Sequence, residues 1–113
     1  MLTIYHNPRC SKSRQTLDLI KENNQKVTIV EYLKTPLSAS DINKLLNALS
    51  FTPIEMMRIK ESEFKEQNLK GADDKTLIDA MVNTPKLIER PIVVKGDVAI
   101  IGRPPENVLT LFK

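Results

Sequence analysis

The sequence predicts a single α/β domain, residues 1–113, built on a mixed four-stranded sheet with a helical insertion. Three observations lead to this prediction. Strand, helix and strand signals follow one another up to Val30, helix signals alone fill the stretch from about 38 to 84, and two strand signals and a helix signal close the chain. The β-α-β and β-β-α halves would each contribute two strands, and the insertion would lie between them.

The first half begins with an alternating run, Leu2–Tyr5, which has the period-two pattern of a strand with one face turned inward. Leu17 and Ile20 then recur at helical spacing, and Leu19 widens the apolar stripe. The run Val27–Val30 is short and rich in β-branched residues, which is typical of a strand buried on both faces. Because a helix connects the two strands, we expect them to be parallel, with a right-handed crossover.

The middle of the chain carries repeated helix-start signals. Residues 38–41 (Ser-Ala-Ser-Asp) resemble a capping box, and the apolar positions after them predict an amphipathic helix: Ile42, Leu45, Leu46 and Leu49. Residues 52–55 (Thr-Pro-Ile-Glu) repeat the signal and predict a short helix that continues through Arg58. Residues 70–71 (Lys-Gly) predict a helix end. Residues 73–74 (Asp-Asp) then start a helix with the apolar positions Leu77, Ile78, Met81 and Val82.

Two further strand signals, Ile92–Lys95 and Val98–Ile101, lie near the end of the chain. The two residues between them, 96–97 (Gly-Asp), suit a type II′ hairpin turn, so we expect these strands to be antiparallel. Residues 104–105 (Pro-Pro) predict the start of a last helix, whose apolar face comprises Val108, Leu109 and Phe112. This order of elements is that of a thioredoxin-like domain with a helical insertion.

Charge and composition argue against several classes of protein. Seventeen basic and fourteen acidic side chains give a net charge of +3, and only 4% of residues are aromatic, so we expect no nucleic-acid partner. No apolar run approaches the roughly 20 residues of a membrane span. The N-terminus also lacks a signal-peptide pattern, so we expect a cytoplasmic protein without a membrane partner. One histidine and one cysteine are too few for a histidine–cysteine metal site, so we expect no metal dependence.

The only cysteine, Cys10, lies where the first strand has ended and the first helix begins. The first turn of a helix has unpaired N–H groups and a partial positive charge, which favour an anion such as a thiolate. A lone cysteine is more often a buried, inert thiol, but Arg9, Lys12 and Arg14 add positive charge around this one. His6 either accepts the thiol proton and tunes the thiolate or is a hydrogen-bonded structural residue.

Ser13 stands where a Cys-x-x-Cys redox pair would have its second sulfur. A hydroxyl cannot form that disulfide, so any redox cycle must borrow a sulfur from another molecule. Ser13 could instead cap the helix or help to bind an anion. The three residues between Cys10 and Arg14 are too few for a phosphatase loop. At the start of the hairpin, a thioredoxin-like arrangement predicts a cis bond between Arg90 and Pro91, facing the cysteine.

Three segments together resemble one known family: residues 5–14 around Cys10, residues 89–94 (Glu-Arg-Pro-Ile-Val-Val) and residues 102–104 (Gly-Arg-Pro). They are similar to the motifs of the glutaredoxin-dependent, ArsC-like arsenate reductases, and the resemblance covers nearly the whole chain. It implies a thioredoxin-like fold with a helical insertion and Cys10 as the nucleophile. We expect tuning of the thiolate by His6, Ser13 and Arg14, and the resemblance implies oxyanion binding by Arg58, Arg90 and Arg103.

The implied activity is attack of the Cys10 thiolate on arsenate or a similar oxyanion. Glutathione would be the co-substrate that releases arsenite, and glutaredoxin would resolve the mixed disulfide. We expect no bound cofactor and a monomeric protein. Two alternatives stay open: a related thiol oxidoreductase that acts on another thiol adduct, and an Spx-like regulator that binds RNA polymerase. Ser13 weighs against the regulator because it removes the usual disulfide switch.

Overall fold

The computed structural model describes residues 2–112, which form two compact units. The first unit comprises the described residues up to Thr35 together with those from Arg90 onward, and the second is Pro36–Glu89. Within the described residues, all four strands belong to the first unit, and the second consists of helices, turns and one isolated β-bridge. The predicted α/β fold with a mixed four-stranded sheet is confirmed.

The sheet of the first unit has the strand order β2-β1-β3-β4. The central strand β1 (Leu2–Tyr5) pairs in parallel with β2 (Val27–Val30) and in antiparallel with β3 (Ile92–Lys95). A hairpin then pairs β3 with β4 (Val98–Ile101). The parallel β1–β2 pair and the antiparallel hairpin both follow the prediction.

The register of the sheet brings three distant parts of the chain to one end. Tyr5, the last residue of β1, lies opposite Ile92, the first residue of β3, and Ile92 in turn lies opposite Ile101, the last residue of β4. The residues that leave β1, enter β3 and leave β4 therefore all start from the same end of the sheet. Cys10 follows the first of these segments, and the two others carry Arg90 and Arg103.

The core of the first unit lies between the sheet, α1 (Ser11–Glu22) and a closing 3₁₀ helix (Pro105–Phe112). Its buried members are Leu2, Ile4, Leu17, Ile20, Val93, Val108 and Leu111. The closing helix buries every third residue, Pro105, Val108 and Leu111, because a 3₁₀ helix has three residues per turn. The predicted apolar face therefore needs correction, since Leu109 and Phe112 are only partly buried.

The prediction that β2 is buried on both faces is wrong. Ile29 is 44% exposed, and Thr28 is exposed as well. β2 lies at an edge of the sheet, where β1 is its only neighbouring strand among those described. A β-branched composition indicates a strand, but it does not distinguish an edge strand from a central one.

The hairpin turn agrees with its prediction. Gly96 has φ of 62°, whereas Asp97 is absent from the residues with positive φ. A type II′ turn requires a positive φ at its first central residue only, and glycine accepts that conformation without strain. Gly96 therefore allows β3 and β4 to be connected by two residues only.

The second unit contains α2 (Ala39–Leu49), α3 (Ser62–Glu66) and α4 (Asp74–Asn83). The predicted capping box is present, because the Ser38 hydroxyl accepts from the Asp41 N–H and the Asp41 carboxylate accepts from the Ser38 N–H. The side chain of Asp73 caps α4 as predicted. The four apolar residues predicted on α2 are all buried, and α2 packs against α4.

Two helix ends in the second unit differ from the predictions. The helix expected to continue through Arg58 is a 3₁₀ helix that ends at Met56. Met57 is extended and forms an antiparallel bridge with Ile88, which stops the helix. The helix end predicted at 70–71 is also too late, because α3 ends at Glu66 and a left-handed Asn68 follows it.

Candidate active site

Cys10 lies at the N-terminal end of α1 with its backbone extended. Its carbonyl oxygen accepts from the N–H of Arg14 at 3.0 Å, and its own N–H donates to the carbonyl oxygen of Asn7 at 3.0 Å. The thiol is free, and the residue is 9% exposed. The backbone therefore fixes the residue at the start of α1, and its sulfur forms no disulfide.

The pKa of the Cys10 thiol is lower than that of an ordinary cysteine. Burial is the largest single influence and raises the pKa, but the remaining influences together outweigh it. These are the N–H of Ser13, the guanidinium of Arg90, the N–H of Lys12 and the guanidinium of Arg103, in that order. The sulfur makes no conventional capping hydrogen bond, so the N–H groups act on it mainly as dipoles at the helix start. The nucleophilic thiolate is thereby favoured.

Two arginines converge on this sulfur from the end of the sheet. The Nη1 atom of Arg103 lies 3.9 Å from Cys10 Sγ and 3.4 Å from the carbonyl oxygen of Arg90. The Nε and Nη1 atoms of Arg90 are buried and have no hydrogen-bond partner among the described residues. Buried polar groups are rarely left unpaired, and an oxyanion could accept from these N–H groups. The Arg90–Pro91 peptide bond is cis, as predicted, and so is the Arg103–Pro104 bond.

His6 and Ser13 form a buried pair behind the cysteine. His6 Nδ1 and Ser13 Oγ are 2.6 Å apart, and Ser13 Oγ also accepts from the N–H of Asn7 at 3.1 Å. Burial is the main reason that the pKa of His6 lies below its ordinary value, with Glu31 opposing and Arg14 adding to the effect. A neutral His6 whose Nδ1 accepts from the Ser13 hydroxyl accounts for this contact. The Ser13 hydroxyl therefore holds His6, while its backbone N–H acts on the sulfur.

Arg14 contacts the loop before the cysteine. Its Nη1 atom donates to the carbonyl oxygen of Pro8 at 2.9 Å, at an exposed position. The charges that lower the pKa of Cys10 come from Arg90 and Arg103, and Arg14 instead contributes to the lowered pKa of His6. A direct effect of Arg14 on the thiolate stays a prediction.

Arg58 belongs to the second unit and is held there by acidic side chains. Its Nη2 atom lies 2.6 Å from Glu61 Oε1, and its Nε atom lies 3.8 Å from Glu89 Oε1. Lys86 also pairs with Glu61 and with Glu63. The structure thus gives Arg58 a local ion-pair network, and its predicted contact with an oxyanion stays a prediction.

The residues from 2 to 112 contain no group of three or more His, Cys, Asp or Glu side chains placed to hold a metal ion. In the same stretch, no helix is long and apolar enough to cross a membrane.

Comparison with known proteins identifies the family. The sequence profile of the ArsC family matches residues 5–111. The chain belongs to the ArsC family. The predicted family is confirmed. The matched segment includes all three stretches on which the prediction rested, residues 5–14, 89–94 and 102–104.

Several relatives of this ArsC-family chain cover nearly all of it. The arsenate reductase of Neisseria meningitidis serogroup A is 40% identical over 95% of this chain and 94% of the relative. The Escherichia coli K12 protein YfgD, which is named an uncharacterized protein, is 52% identical over 96% of this chain and 93% of the relative. The solved structure of an arsenate reductase from Vibrio cholerae has 45% identity and a TM-score of 0.93, covering 96% of this chain and 95% of that one.

Two buried residues near the candidate site were not predicted from the sequence to be functional. Thr16 is fully buried on α1, and Gly102 is buried directly before Arg103. The sequence does contain a pattern that indicates burial of Thr16. Ser13 and Thr16 lie at helical spacing from Leu17 and Ile20, so they continue the buried stripe toward the start of the helix. Two small hydroxyl residues on a buried helix face indicate close packing there.

Proposed function

We propose that this ArsC-family protein is an arsenate reductase that uses Cys10 as its nucleophile. The observation that carries the proposal is the 3.9 Å contact between Arg103 Nη1 and Cys10 Sγ, beside the buried and unpaired N–H groups of Arg90. The names of the relatives in Neisseria meningitidis and Vibrio cholerae support arsenate as the oxyanion.

The first step forms a bond between sulfur and arsenic. The Cys10 thiolate attacks As(V), and an arsenic–oxygen bond breaks as the oxygen takes up protons and leaves as water. Arg90 and Arg103 donate hydrogen bonds to the remaining oxygens, and they stabilise the negative charge that approaches the thiolate. Without these guanidinium groups, two anions would have to meet in a partly buried site.

The second step needs an external thiol, because this sequence contains one cysteine only. A glutathione thiolate attacks the Cys10 sulfur, the sulfur–arsenic bond breaks, and its electron pair stays on arsenic as As(III). Each sulfur is oxidised by one electron, so the products are arsenite and a Cys10–glutathione disulfide. Glutaredoxin then attacks that disulfide by thiol exchange and returns Cys10 to the thiolate.

The decisive assay supplies arsenate, glutathione, glutaredoxin, glutathione reductase and NADPH, and it follows NADPH oxidation. We expect turnover that disappears in Cys10→Ser. Omitting glutaredoxin from the same mixture tests the coupling protein separately, and a large loss of rate is expected. Turnover of a glutathionylated substrate with none on arsenate would contradict the arsenate assignment and favour the related thiol oxidoreductase.

A further inference from the structure

Gly102 lies in a space too small for any side chain. A Cβ atom at this position would be 2.5 Å from Thr16 Oγ1, 2.9 Å from Pro91 Cγ and 3.0 Å from Thr16 Cγ2. Gly102 is not among the glycines with positive φ, so the backbone conformation alone does not require glycine. The requirement comes from the close approach of α1 and Pro91. We call these three residues, Thr16, Pro91 and Gly102, the Thr16 junction.

Hydrogen bonds fix the members of the Thr16 junction to one another. The N–H of Gly102 donates to the carbonyl oxygen of Pro91 at 2.9 Å. The Thr16 hydroxyl donates to the carbonyl oxygen of Lys12 at 2.8 Å and lies 3.4 Å from the carbonyl oxygen of Gly102. Thr16 is completely buried, so its side chain has no room to turn away. The junction is therefore a rigid contact between α1 and the end of the sheet.

Arg90 and Arg103 are next to the Thr16 junction in sequence, and Cys10 is connected to it through the first turn and a half of α1. Arg90 precedes Pro91, Arg103 follows Gly102, and Cys10 is the N-cap of the helix that contains Thr16. The separation between helix and sheet end at the junction thus sets how far the two guanidinium groups lie from the sulfur. Electrostatic interaction weakens with distance, and a hydrogen-bonded oxyanion tolerates little displacement of its donors.

We propose that Thr16 and Gly102 are positioning residues that set the distance between the Cys10 sulfur and the Arg103 guanidinium. The inference rests on the proposed function for the identity of the oxyanion, but the distance itself controls the reactivity of the thiol without any oxyanion. A methyl group added at residue 102 pushes α1 away from Arg103. A methyl and hydroxyl removed from residue 16 leave space into which Gly102 sinks, so that the Arg103 guanidinium is displaced from its place beside the sulfur.

The test is a set of size-complementing variants: Gly102→Ala, Thr16→Ala and the double variant. We measure the rate of Cys10 alkylation by iodoacetamide against pH, first without anions and then with arsenate or sulfate. Each single variant should raise the pH at which Cys10 becomes reactive and weaken protection by the anion about 3- to 10-fold. The double variant removes the overlap between residues 102 and 16 and refills part of the space left at residue 16, so it should lie closer to the wild type than either single variant.

A second background shows whether Gly102 and Thr16 act through Arg103. In Arg103→Ala, the added Gly102→Ala or Thr16→Ala change should alter the alkylation profile much less than it does in the wild type, because only the charge of Arg90 is left to respond to the displacement. A purely structural role would instead give the same change in both backgrounds and would overturn the inference. Circular dichroism and thermal unfolding of every variant monitor the fold.

If Gly102→Ala alone does not fold, the comparison of Thr16→Ala with the double variant carries the test. Refilling the space should then return the alkylation profile toward that of the wild type. Wild-type reactivity in both of these variants would overturn the inference. Because alkylation needs no arsenate turnover, a protein that fails the reductase assay but follows this pattern contradicts the proposed function and supports the positioning roles.

Discussion

The Nη1 atom of Arg103 lies 3.9 Å from the Sγ atom of Cys10, although the two residues are 93 positions apart in the chain. The sheet explains this contact, because the register of β1, β3 and β4 brings the two segments to the same end. The guanidinium stabilises the thiolate relative to the thiol and can also bind an oxyanion that approaches it. The proposed nucleophile and the proposed anion-binding group are therefore parts of one arrangement.

The first prediction concerns the titration of Cys10. The rate of alkylation by iodoacetamide should rise at a lower pH in the folded protein than in the same protein unfolded in urea, because the thiol pKa is lowered only by the folded site. Mass spectrometry of the modified protein should find no alkylation in Cys10→Ser. Equal titration midpoints in the folded and unfolded samples would contradict the prediction.

The second prediction concerns the two arginines beside the sulfur. Arg103→Ala and Arg90→Ala should each weaken protection of Cys10 by arsenate about 10- to 100-fold, since each removes charge-assisted hydrogen bonds to the anion. Both should also raise the thiol pKa. Arg9→Ala is the matched control, because Arg9 is an exposed arginine next to the cysteine. Equal losses in all three variants would mean that net charge alone governs binding.

The third prediction concerns the buried Ser13 hydroxyl. Ser13→Ala should lower the free energy of unfolding by about 1–3 kcal/mol, because His6 Nδ1 and the N–H of Asn7 both lose a buried partner. Urea denaturation measures the change. Ser11→Ala provides the control, as Ser11 is an exposed serine in the same helical turn and should cost far less. Similar losses in the two variants would argue against the pairing with His6.

The fourth prediction is a pH dependence caused by His6. Burial, as the largest influence, lowers the pKa of His6 in the folded protein, so the unfolded chain binds the proton more tightly. Stability should therefore fall as the pH drops below about 6.5 and level off below the folded pKa. Urea unfolding at several pH values should show this slope in the wild type and a smaller one in His6→Asn. An unchanged slope in the variant would assign the pH dependence to other groups.

The fifth prediction concerns Arg58, whose role in oxyanion binding comes from the family resemblance. Arg58→Ala should weaken protection of Cys10 by arsenate, whereas Lys86→Ala should not. Both side chains pair with Glu61, so the two variants disturb the same ion-pair network and differ in the predicted role. If both variants lower thermal stability alike and neither changes protection, Arg58 has only a structural role.

Local signals predicted much of the fold. The capping box at Ser38 and Asp41, the hairpin turn at Gly96 and the buried stripe of Leu17 and Ile20 all depend on residues close together in sequence. Such features are determined by hydrogen bonds and side-chain periodicity within a few residues. Helix ends failed where a distant partner intervened, as when Ile88 pairs with Met57 and stops the preceding helix.

The sequence by itself determined the family motifs and predicted Cys10 as the nucleophile. It also predicted the need for an external thiol, since one cysteine cannot resolve its own adduct. Only the tertiary structure decided which charges act on that cysteine. Arg9, Lys12 and Arg14 are its neighbours along the chain, yet Arg90 and Arg103 are the arginines that lower its pKa. The reason is that electrostatic interaction depends on distance through space, and the strand register and the packing of Gly102 against Thr16 set that distance.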